Sequence, residues 1–204
     1  MKKEFIIASL NEMIKDPKCE LNYNSDYTLL IAILLSAQCL DKKVNQVTPI
    51  LFKKYPTLFD LKNANINDII EIIRPLGLAN NKAKSIIELS KILVDKYDQK
   101  VPTDRNILIT LPGIGIKTSG VFLAEFYKQN YIPVDTHVKR VSYRLGLIDK
   151  NSTIEQIEET LSKKFKTNLD MLHLRLVLFG RYICKSQNPK CNECKFNGQC
   201  NLTR

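Results

Sequence analysis

The sequence predicts an all-α protein, and three observations support this fold class. Apolar residues recur three and four positions apart in most segments, most clearly over residues 66–73 behind the cap residue Asn65. No segment shows the sustained alternation of apolar and polar residues that is typical of a half-buried strand. Residues 29–37 read as a helix that is apolar on all sides, which indicates a central helix buried by its neighbours.

The remaining helices follow from the same spacing together with caps and breaks in the sequence. Asp41 would cap one helix, in which Pro49 should cause a kink or an interruption. Asp135 is a candidate cap for a later helix, and Ser152 or Thr153 for the next one. We expect further helices over residues 6–13, 81–96, 117–128, 136–145, 154–165 and 168–182, with an extended segment at 131–134.

Size and charge bound the class of protein and its partners. The chain of 204 residues can bury one sizeable core or two small ones, and its content of 44% hydrophobic and 25% charged residues is ordinary for a globular protein. The formal net charge of +10 favours a polyanionic partner, with nucleic acid the first candidate. A solvated basic surface is the alternative, because basic proteins need not bind DNA.

No segment of the sequence indicates export or a membrane anchor. Glu4 follows directly on the first two lysines, and polar residues interrupt the apolar positions of the first helix, unlike in a signal peptide. The longest apolar run, residues 29–35, is far too short to span a bilayer. We therefore expect a cytoplasmic, nucleoid-associated protein without a membrane partner, and we expect it to act as a monomer.

Four of the six cysteines are clustered with the spacing C-x6-C-x2-C-x5-C. Without a secretion signal, clustered cysteines are more typical of a metal site than of disulfides. Four thiolates in so short a segment can surround one metal centre, and sulfur ligation suits either zinc or an iron–sulfur cluster. Structural zinc sites often use two close pairs of ligands, whereas this segment has one, which favours iron–sulfur. The predicted ligands are Cys184, Cys191, Cys194 and Cys200.

Residues 111–118 form the motif on which the predicted function depends. Helical patterns run into and out of this segment, and Gly113 and Gly115 allow positive φ and a close approach of another backbone. The following helix should begin near Ile116 or Lys117, so that its free N–H groups face the turn and can bind an anion such as phosphate. An ordinary Pro-Gly turn between two helices is the alternative.

Lys117 and Asp135 are candidate catalytic residues. Lys117 lies in the first turn of its helix, where the positive end of the helix dipole disfavours a cation, and partial burial would add to that effect. A lysine so placed could reach the neutral form that attacks carbon. Asp135 closes an extended segment at a helix start, where capping the helix is its alternative role. Either residue alone is weak support, because most lysines and aspartates are solvated surface charges.

Together these motifs resemble endonuclease III, the bacterial DNA glycosylase family of the helix-hairpin-helix superfamily that carries a [4Fe-4S] cluster. The resemblance covers essentially the whole chain, and the cysteine spacing is identical to the family pattern. Besides the cysteines, it rests on four segments that occur in the same order as in the family: residues 35–38, 111–118, 134–138 and 180–182.

The resemblance implies a bifunctional DNA glycosylase and AP lyase of base excision repair. Lys117 matches the catalytic lysine of the family, which attacks C1′ of the damaged nucleotide, expels the base and forms a Schiff base. Asp135 matches the catalytic carboxylate, which would stabilise positive charge on the sugar and assist proton transfer. β-Elimination then cleaves the strand 3′ to the abasic site. The implied partner is double-stranded DNA with oxidised pyrimidines or abasic sites, and the target nucleotide must be flipped out of the stack.

The resemblance also assigns residues that contact DNA. Two residues of the family insert into the duplex, two hairpin glycines hold a phosphate through their amides, and two lysines between the first two cysteines contact phosphate. The matching pairs are Gln38 and Leu78, Gly113 and Gly115, and Lys185 and Lys190. Alternatives remain open: Gln38 could cap a helix C-terminus, Leu78 could belong to the core, and the lysines could be solvated loop charges.

The family fold implies two domains. Residues 19–129 would form a six-helix domain that contains the helix-hairpin-helix. Residues 1–18 together with residues 130–204 would form a helical domain that carries the iron–sulfur cluster. The domain boundary would then fall between Lys117 and Asp135.

Two departures from the family pattern and two alternative functions stay open. Ala79 stands where the family usually has an aromatic residue, and Phe179 where it often has histidine, which leaves the lesion range open. A mismatch adenine glycosylase of the same superfamily usually lacks the hairpin lysine and adds a C-terminal recognition domain. A non-catalytic helix-hairpin-helix DNA-binding protein with a structural metal site would need neither Lys117 nor Asp135.

Overall fold

The computed structural model describes residues 1–203 and confirms the all-α class, since within that range the chain forms helices, turns and loops but no β-strand. The helices are α1 Lys3–Met13, α2 Asp26–Leu35, α3 Asp41–Lys54, α4 Leu58–Lys62, α5 Ile66–Ile73, α6 Ala79–Lys96, α7 Arg105–Leu108, α8 Ile116–Phe126, α9 Thr136–Arg144, α10 Ile154–Phe165 and α11 Leu169–Tyr182, with short 3-10 turns at Arg74–Leu76 and Cys191–Glu193. Across residues 1–203, every helix is too short or too polar to cross a membrane.

The chain divides into two compact units. One is Cys19–Tyr127, which contains the hairpin and Lys117, and we call it the hairpin unit. The other combines Met1–Lys18 with the chain from Lys128 onward. It contains Asp135 and the four clustered cysteines, and we call it the cysteine unit.

The hairpin unit is built around α2. Every residue from 28 to 35 is buried, as predicted for a helix that is apolar on all sides. The helix begins with a capping box, in which Ser25 Oγ accepts the N–H of Thr28 and Thr28 Oγ1 accepts the N–H of Ser25. Helices α3, α6 and α8 pack against α2 and cover its apolar surface.

The cysteine unit has a core of its own, which continues into the segment that carries the cysteines. Phe196 in that segment is 1% exposed, and its ring meets Phe179 edge to face with centroids 5.7 Å apart. The same cluster of buried residues draws on all four helices of the unit and on the cysteine segment: Ile6, Leu10, Val138, Val141, Ile157, Leu161, Leu172, Leu176, Phe179, Phe196 and Cys200.

Two details of α3 can be compared with the sequence prediction. Asp41 is the first residue of α3 and not its cap, because the cap position is taken by Leu40, which makes no side-chain cap hydrogen bond. Helix α3 also continues through Pro49 without interruption. Buried Val47 and Leu51 anchor the helix on both sides of the proline, which offsets the loss of one backbone hydrogen bond.

Candidate active site and metal centre

The hairpin lies between α7 and α8 in the hairpin unit. Leu111 and Ile114 are each 4% exposed, and the N–H of Ile114 donates to the carbonyl of Leu111 over 3.1 Å. Helix α8 begins at Ile116, as predicted, with Gly115 at its N-cap position. The two apolar side chains therefore anchor the turn in the core, while its glycines lie on the exposed side.

The two hairpin glycines differ, although the sequence suggested the same role for both. Gly113 has φ +76°, and a Cβ there would lie 2.8 Å from Leu34 Cδ1 and 2.9 Å from Ser85 Cβ, so glycine alone fits. Gly115 has φ −99° and ψ −179°. A Cβ at Gly115 would meet no atom of the described residues within 4 Å. The prediction of positive φ is confirmed for Gly113 and wrong for Gly115, whose surroundings leave room for a bound molecule.

Lys117 is the second residue of α8, and it is exposed. The residue lies off the buried face of α8, which is formed by other residues of the helix, including Ser119, Gly120, Phe122 and Leu123. The amine is accessible to a molecule from solvent. It also lies where the free N–H groups and the positive end of the helix dipole can bind an anion.

Two further turns of the hairpin unit expose the residues expected to insert into DNA. Gln38 follows α2 at φ 57° and Leu78 precedes α6 at φ 54°; we call residues 36–39 the Gln38 tip and residues 77–79 the Leu78 tip. Both side chains are exposed, and the 53% exposure of Leu78 excludes a core role. A left-handed conformation costs such residues on the order of 1 kcal/mol, so the structure around each tip must hold it in place.

Asp135 caps α9 in the cysteine unit. Its Oδ1 accepts the N–H of Val138 at 2.7 Å, which confirms the predicted cap. The residue is half-buried at the end of the extended segment 131–134. The cap fixes the direction of the carboxylate, and the positive end of the helix dipole favours a negative charge at this position. The arrangement can therefore stabilise a positive charge that forms beside it.

Close packing of α9 against α11 orders the residues that follow Asp135. A Cβ on Gly180 would lie 2.9 Å from His137 Cβ, so the approach requires glycine. Arg140 donates to the carbonyl of Gly180 at 2.8 Å and lies 3.2 Å from His137 Nδ1. Burial lowers the pKa of His137 below 6.5, an effect that Asp135 opposes and that Arg140 and Arg181 reinforce. The imidazole is thus neutral at neutral pH, and Nδ1 can accept the bond from Arg140.

The four predicted metal ligands lie around one cavity of the cysteine unit. Besides Cys184, Cys191, Cys194 and Cys200, its lining includes Ile183, Pro189, Leu202 and Thr203. Three of the sulfur atoms have hydrogen-bond partners: Arg144 Nη1 lies 3.3 Å from Cys184 Sγ, the N–H of Phe196 lies 3.4 Å from Cys194 Sγ, and the Thr203 hydroxyl lies 3.3 Å from Cys200 Sγ. The structure therefore brings all four ligands predicted from the spacing together.

The thiols are close enough to influence one another's charge. Burial raises the pKa of the Cys194 thiol, the N–H of Phe196 acts against this, and the other three cysteines raise it further. Nevertheless, residues 1–203 contain no group of three or more His, Cys, Asp or Glu side chains placed to hold a single metal ion. The four cysteines nevertheless line one cavity.

Two arginines that hold the first cysteine were not predicted. Arg140 Nε and Arg144 Nη1 both donate to the carbonyl of Cys184, at 3.2 and 3.4 Å. Arg144 also donates to the carbonyls of Lys185 at 2.7 Å and Ser186 at 3.4 Å. Their spacing of four residues along α9 was the available signal, because it places both side chains on one face of the helix.

The two predicted phosphate-binding lysines in the loop after Cys184 are exposed. Lys190 Nζ lies 3.5 Å from Glu193 Oε2, so part of its charge is offset locally. Lys185 has its backbone fixed by the bond from Arg144 to its carbonyl. An anchored backbone with an exposed ammonium makes Lys185 the better placed of the two to attract an external phosphate.

Comparison with known proteins places these features in a family. The HhH-GPD superfamily of base excision DNA repair proteins matches residues 31–167. Endonuclease III of Bacillus subtilis (strain 168) is 40% identical over 198 residues, which cover 97% of this chain and 90% of the relative. Endonuclease III of Rickettsia conorii is 42% identical over 199 residues, which cover 97% of this chain and 93% of the relative.

Solved structures agree with these relatives. A non-covalent endonuclease III–DNA complex has a TM-score of 0.92 at 40% identity, covering 97% of this chain and 93% of that one. A trapped endonuclease III–DNA covalent intermediate has a TM-score of 0.91 at 40% identity, covering 98% of this chain and 96% of that one. As the motifs indicated, the chain belongs to the HhH-GPD superfamily of base excision DNA repair proteins and, within it, to the endonuclease III family of DNA glycosylases and AP lyases.

Proposed function

We propose that this chain is a bifunctional DNA glycosylase and AP lyase that removes oxidised pyrimidines from double-stranded DNA with Lys117 as its nucleophile. The observation that carries the proposal is the exposed Lys117 in the first turn of α8, directly after the hairpin. A phosphate of the damaged strand held at Gly113 and Gly115 would bring the neighbouring sugar next to the amine. A related endonuclease III has been trapped as a covalent intermediate with DNA, which supports a nucleophilic route.

In the proposed reaction, the neutral amine of Lys117 attacks C1′ of the flipped nucleotide. The glycosidic bond breaks, and the base leaves with the bonding electron pair and takes up a proton. The attacking nitrogen loses one proton and the ring oxygen O4′ gains one, so that the sugar ring opens to a protonated Schiff base. Loss of a proton from C2′ then drives β-elimination, which breaks the C3′–O bond and cleaves the strand 3′ to the abasic site. Hydrolysis of the Schiff base finally frees the amine.

We assign Asp135 to electrostatic stabilisation and proton transfer. Its cap bond to Val138 fixes Oδ1 and so orients the carboxylate before substrate binds. A fixed negative charge beside the sugar would stabilise the cation that develops as the base leaves. Asp135 would therefore contribute more to turnover than to DNA affinity.

The exposed tips and the loop after the first cysteine would supply the DNA contacts. Gln38 and Leu78 would enter the duplex and occupy the space left by the flipped nucleotide, since each side chain is exposed on a tight left-handed turn. Lys185, and more weakly Lys190, would contact phosphate and make binding depend on salt concentration. The hairpin amides would complete the grip on the damaged strand.

For the metal centre we propose a [4Fe-4S] cluster held by Cys184, Cys191, Cys194 and Cys200. The donor set supports this choice, because four thiols surround one cavity and each can ligate one iron. A cluster with four protein ligands leaves no iron open to substrate. When bound, it would therefore tie the cysteine segment together and neutralise the thiolates, and the reaction would run on the side chains of the chain itself.

Borohydride trapping tests the proposed reaction. Reduction should fix a covalent complex with duplex DNA that carries one abasic site, and Lys117→Ala should abolish it because no amine remains to form the Schiff base. Lys91→Ala is the matched control, since Lys91 is an exposed lysine of α6 in the same unit and should leave trapping unchanged.

Two outcomes would contradict the proposal. A wild-type protein that binds abasic-site DNA without trapping would be a simple glycosylase or a non-catalytic binding protein. Full trapping by Lys117→Ala would place the nucleophile elsewhere in the chain.

A further inference from the structure

Lys82 is a buried lysine that the proposed reaction does not use. It lies on α6 and is 5% exposed. Its spacing from Ile86, Leu89 and Leu93, which are fully buried, places its side chain on the buried stripe of the helix. Burying a charge costs free energy unless hydrogen bonds compensate, so the partners of Lys82 must offset that cost.

Three backbone carbonyls surround the Lys82 ammonium. Nζ donates to the carbonyls of Leu35 and Ala37 at 2.9 Å each, and to that of Leu76 at 3.1 Å. A lysine ammonium has three donors and no acceptor, so these bonds use its whole capacity. Burial lowers the pKa of Lys82, and Cys39 acts in the opposite direction. The charged form is the one that can make all three bonds, and the C-terminal carbonyls of α2 favour it.

These carbonyls belong to the chain segments that lead into the two tips. Ala37 directly precedes Gln38, and Leu76 stands two positions before Leu78. The backbone N–H of Lys82 also donates to the carbonyl of Leu78 at 3.0 Å. A single residue therefore bonds to both tips, through its side chain and through its backbone.

We propose that Lys82 is a positioning residue that clamps the Gln38 tip to the Leu78 tip, so that both enter the duplex as one rigid element. This inference rests on the proposed function, because the tips matter to the reaction only if the chain flips a nucleotide out of DNA. Both tip side chains are exposed and both backbones are left-handed, so neither tip is held by its own side chain. The ammonium supplies the connection that keeps two strained turns in register.

A pair of substitutions separates this role from ordinary core packing. Lys82→Met keeps the apolar stem and removes all three donors, whereas Leu89→Ala opens a cavity in the same helix without touching a tip carbonyl. Each variant is assayed, at equal folded fraction, on duplex DNA with one thymine glycol and on a single-stranded oligonucleotide with one abasic site. Only the duplex requires the target to be displaced from a base stack.

We expect Lys82→Met to lower kcat/KM on the duplex by about 10- to 100-fold, as the loss of charge-assisted hydrogen bonds predicts. Borohydride trapping on the single strand should stay within about twofold of wild type. Hydrogen exchange should rise at residues 36–39 and 77–79 in this variant. Leu89→Ala should change both substrates alike and should not raise exchange selectively at the tips.

Equal losses on both substrates in Lys82→Met, or the same duplex loss in Leu89→Ala, would overturn the clamp. If Lys82→Met does not fold, Lys82→Gln gives the same comparison, because it removes the charge and keeps two donors. A wild-type protein that traps neither the abasic-site duplex of the proposed function nor the abasic-site single strand would refute the proposed function. The clamp alone would be refuted if the wild-type protein is active and the Lys82 variants keep both wild-type activity on the duplex and wild-type hydrogen exchange at the tips.

Discussion

A buried lysine joins the tips of the hairpin unit, an arginine bonds to the loop after the first cysteine, and the two cations differ in how their donors are used. Lys82 is almost fully buried and uses all three donors on carbonyls that flank the tips. Arg144 is half-buried and divides its donors among Cys184, Lys185 and Ser186. The turns proposed to enter DNA are therefore joined by backbone carbonyls and one buried lysine, with no bound group required.

The cysteine segment contrasts with the tips because its thiols disfavour one another's ionisation. Each of the other three cysteines raises the pKa of the Cys194 thiol, so ionising all four together is unfavourable without a metal centre. Arg144 donates to the first thiol, and Arg140 donates to the carbonyl of the same cysteine. We therefore expect the hairpin unit to keep its structure without a bound group, whereas the cysteine unit should depend on its proposed metal centre.

Gly113→Ala tests how tightly the hairpin packs in the hairpin unit, and it has the largest expected effect on stability. The new Cβ would press on Leu34 and Ser85 at positive φ, and we expect a loss of about 2–4 kcal/mol in the free energy of unfolding. Gly115→Ala should cost less than about 1 kcal/mol, the size of an N-cap change, and yet weaken DNA binding, measured by fluorescence anisotropy. Equal stability losses in urea denaturation would contradict the distinction between the two glycines.

Arg144→Met tests the cysteine unit, and we expect an effect of intermediate size. It removes the bonds to three carbonyls and to the Cys184 thiol, so the visible absorbance of the proposed iron–sulfur cluster should decay in air about tenfold faster than in wild type. Arg144→Lys keeps the charge but not the planar fork, and it should decay at an intermediate rate. Decay at the wild-type rate in Arg144→Met would show that the arginine does not support the metal centre.

The smallest expected effect is a loss of folding stability in mild acid. Burial holds the pKa of His137 below 6.5, with Arg140 and Arg181 adding to the effect and Asp135 opposing it. Between that lowered pKa and 6.5 the unfolded chain binds more protons than the folded one. Stability is therefore complete above this window and falls as the pH drops through it, by less than about 1.4 kcal/mol per pH unit because His137 is partly exposed.

Urea denaturation of wild type and His137→Gln from about pH 7 to about pH 5 measures this response. The variant should show a shallower fall in the free energy of unfolding, because its side chain does not titrate. Identical slopes would mean that another group causes the acid response. The protection factors for hydrogen exchange at the Gln38 and Leu78 tips, which correct for the pH dependence of the intrinsic exchange rate, should stay constant over the same range, since three backbone carbonyls favour the charged form of Lys82.

The helices could be predicted from the sequence because their signals are local. Residues 66–73 show apolar spacing over two turns, and the predicted cap is confirmed by the bond from the N–H of Asn67 to Asn65 Oδ1 at 2.9 Å. The buried helix predicted at residues 29–37 was found but ends earlier: α2 is buried through Leu35, and Ala37 is exposed in the turn that follows. The cysteine spacing likewise predicted which thiols share a cavity.

The contacts that distinguish similar residues could not be predicted, because they join segments far apart in the chain. Gly113 needs glycine because of Leu34 and Ser85, and no pattern near the hairpin reveals either neighbour. Lys82 falls on the apolar stripe of α6, so its burial was open to prediction. Two of its acceptors, the carbonyls of Leu35 and Ala37, could not be predicted, because they lie more than 40 positions earlier in the chain.

The position of the borohydride adduct tests the assignment of Lys117 most directly. After reduction with abasic-site DNA, nuclease treatment and proteolysis, mass spectrometry should find the sugar remnant on Lys117. Lys82 is an internal reference in the same unit, since a buried ammonium bonded to three carbonyls should carry no remnant. A remnant confined to any residue other than Lys117, or its absence from a protein that cleaves the DNA, would contradict Lys117 as the nucleophile.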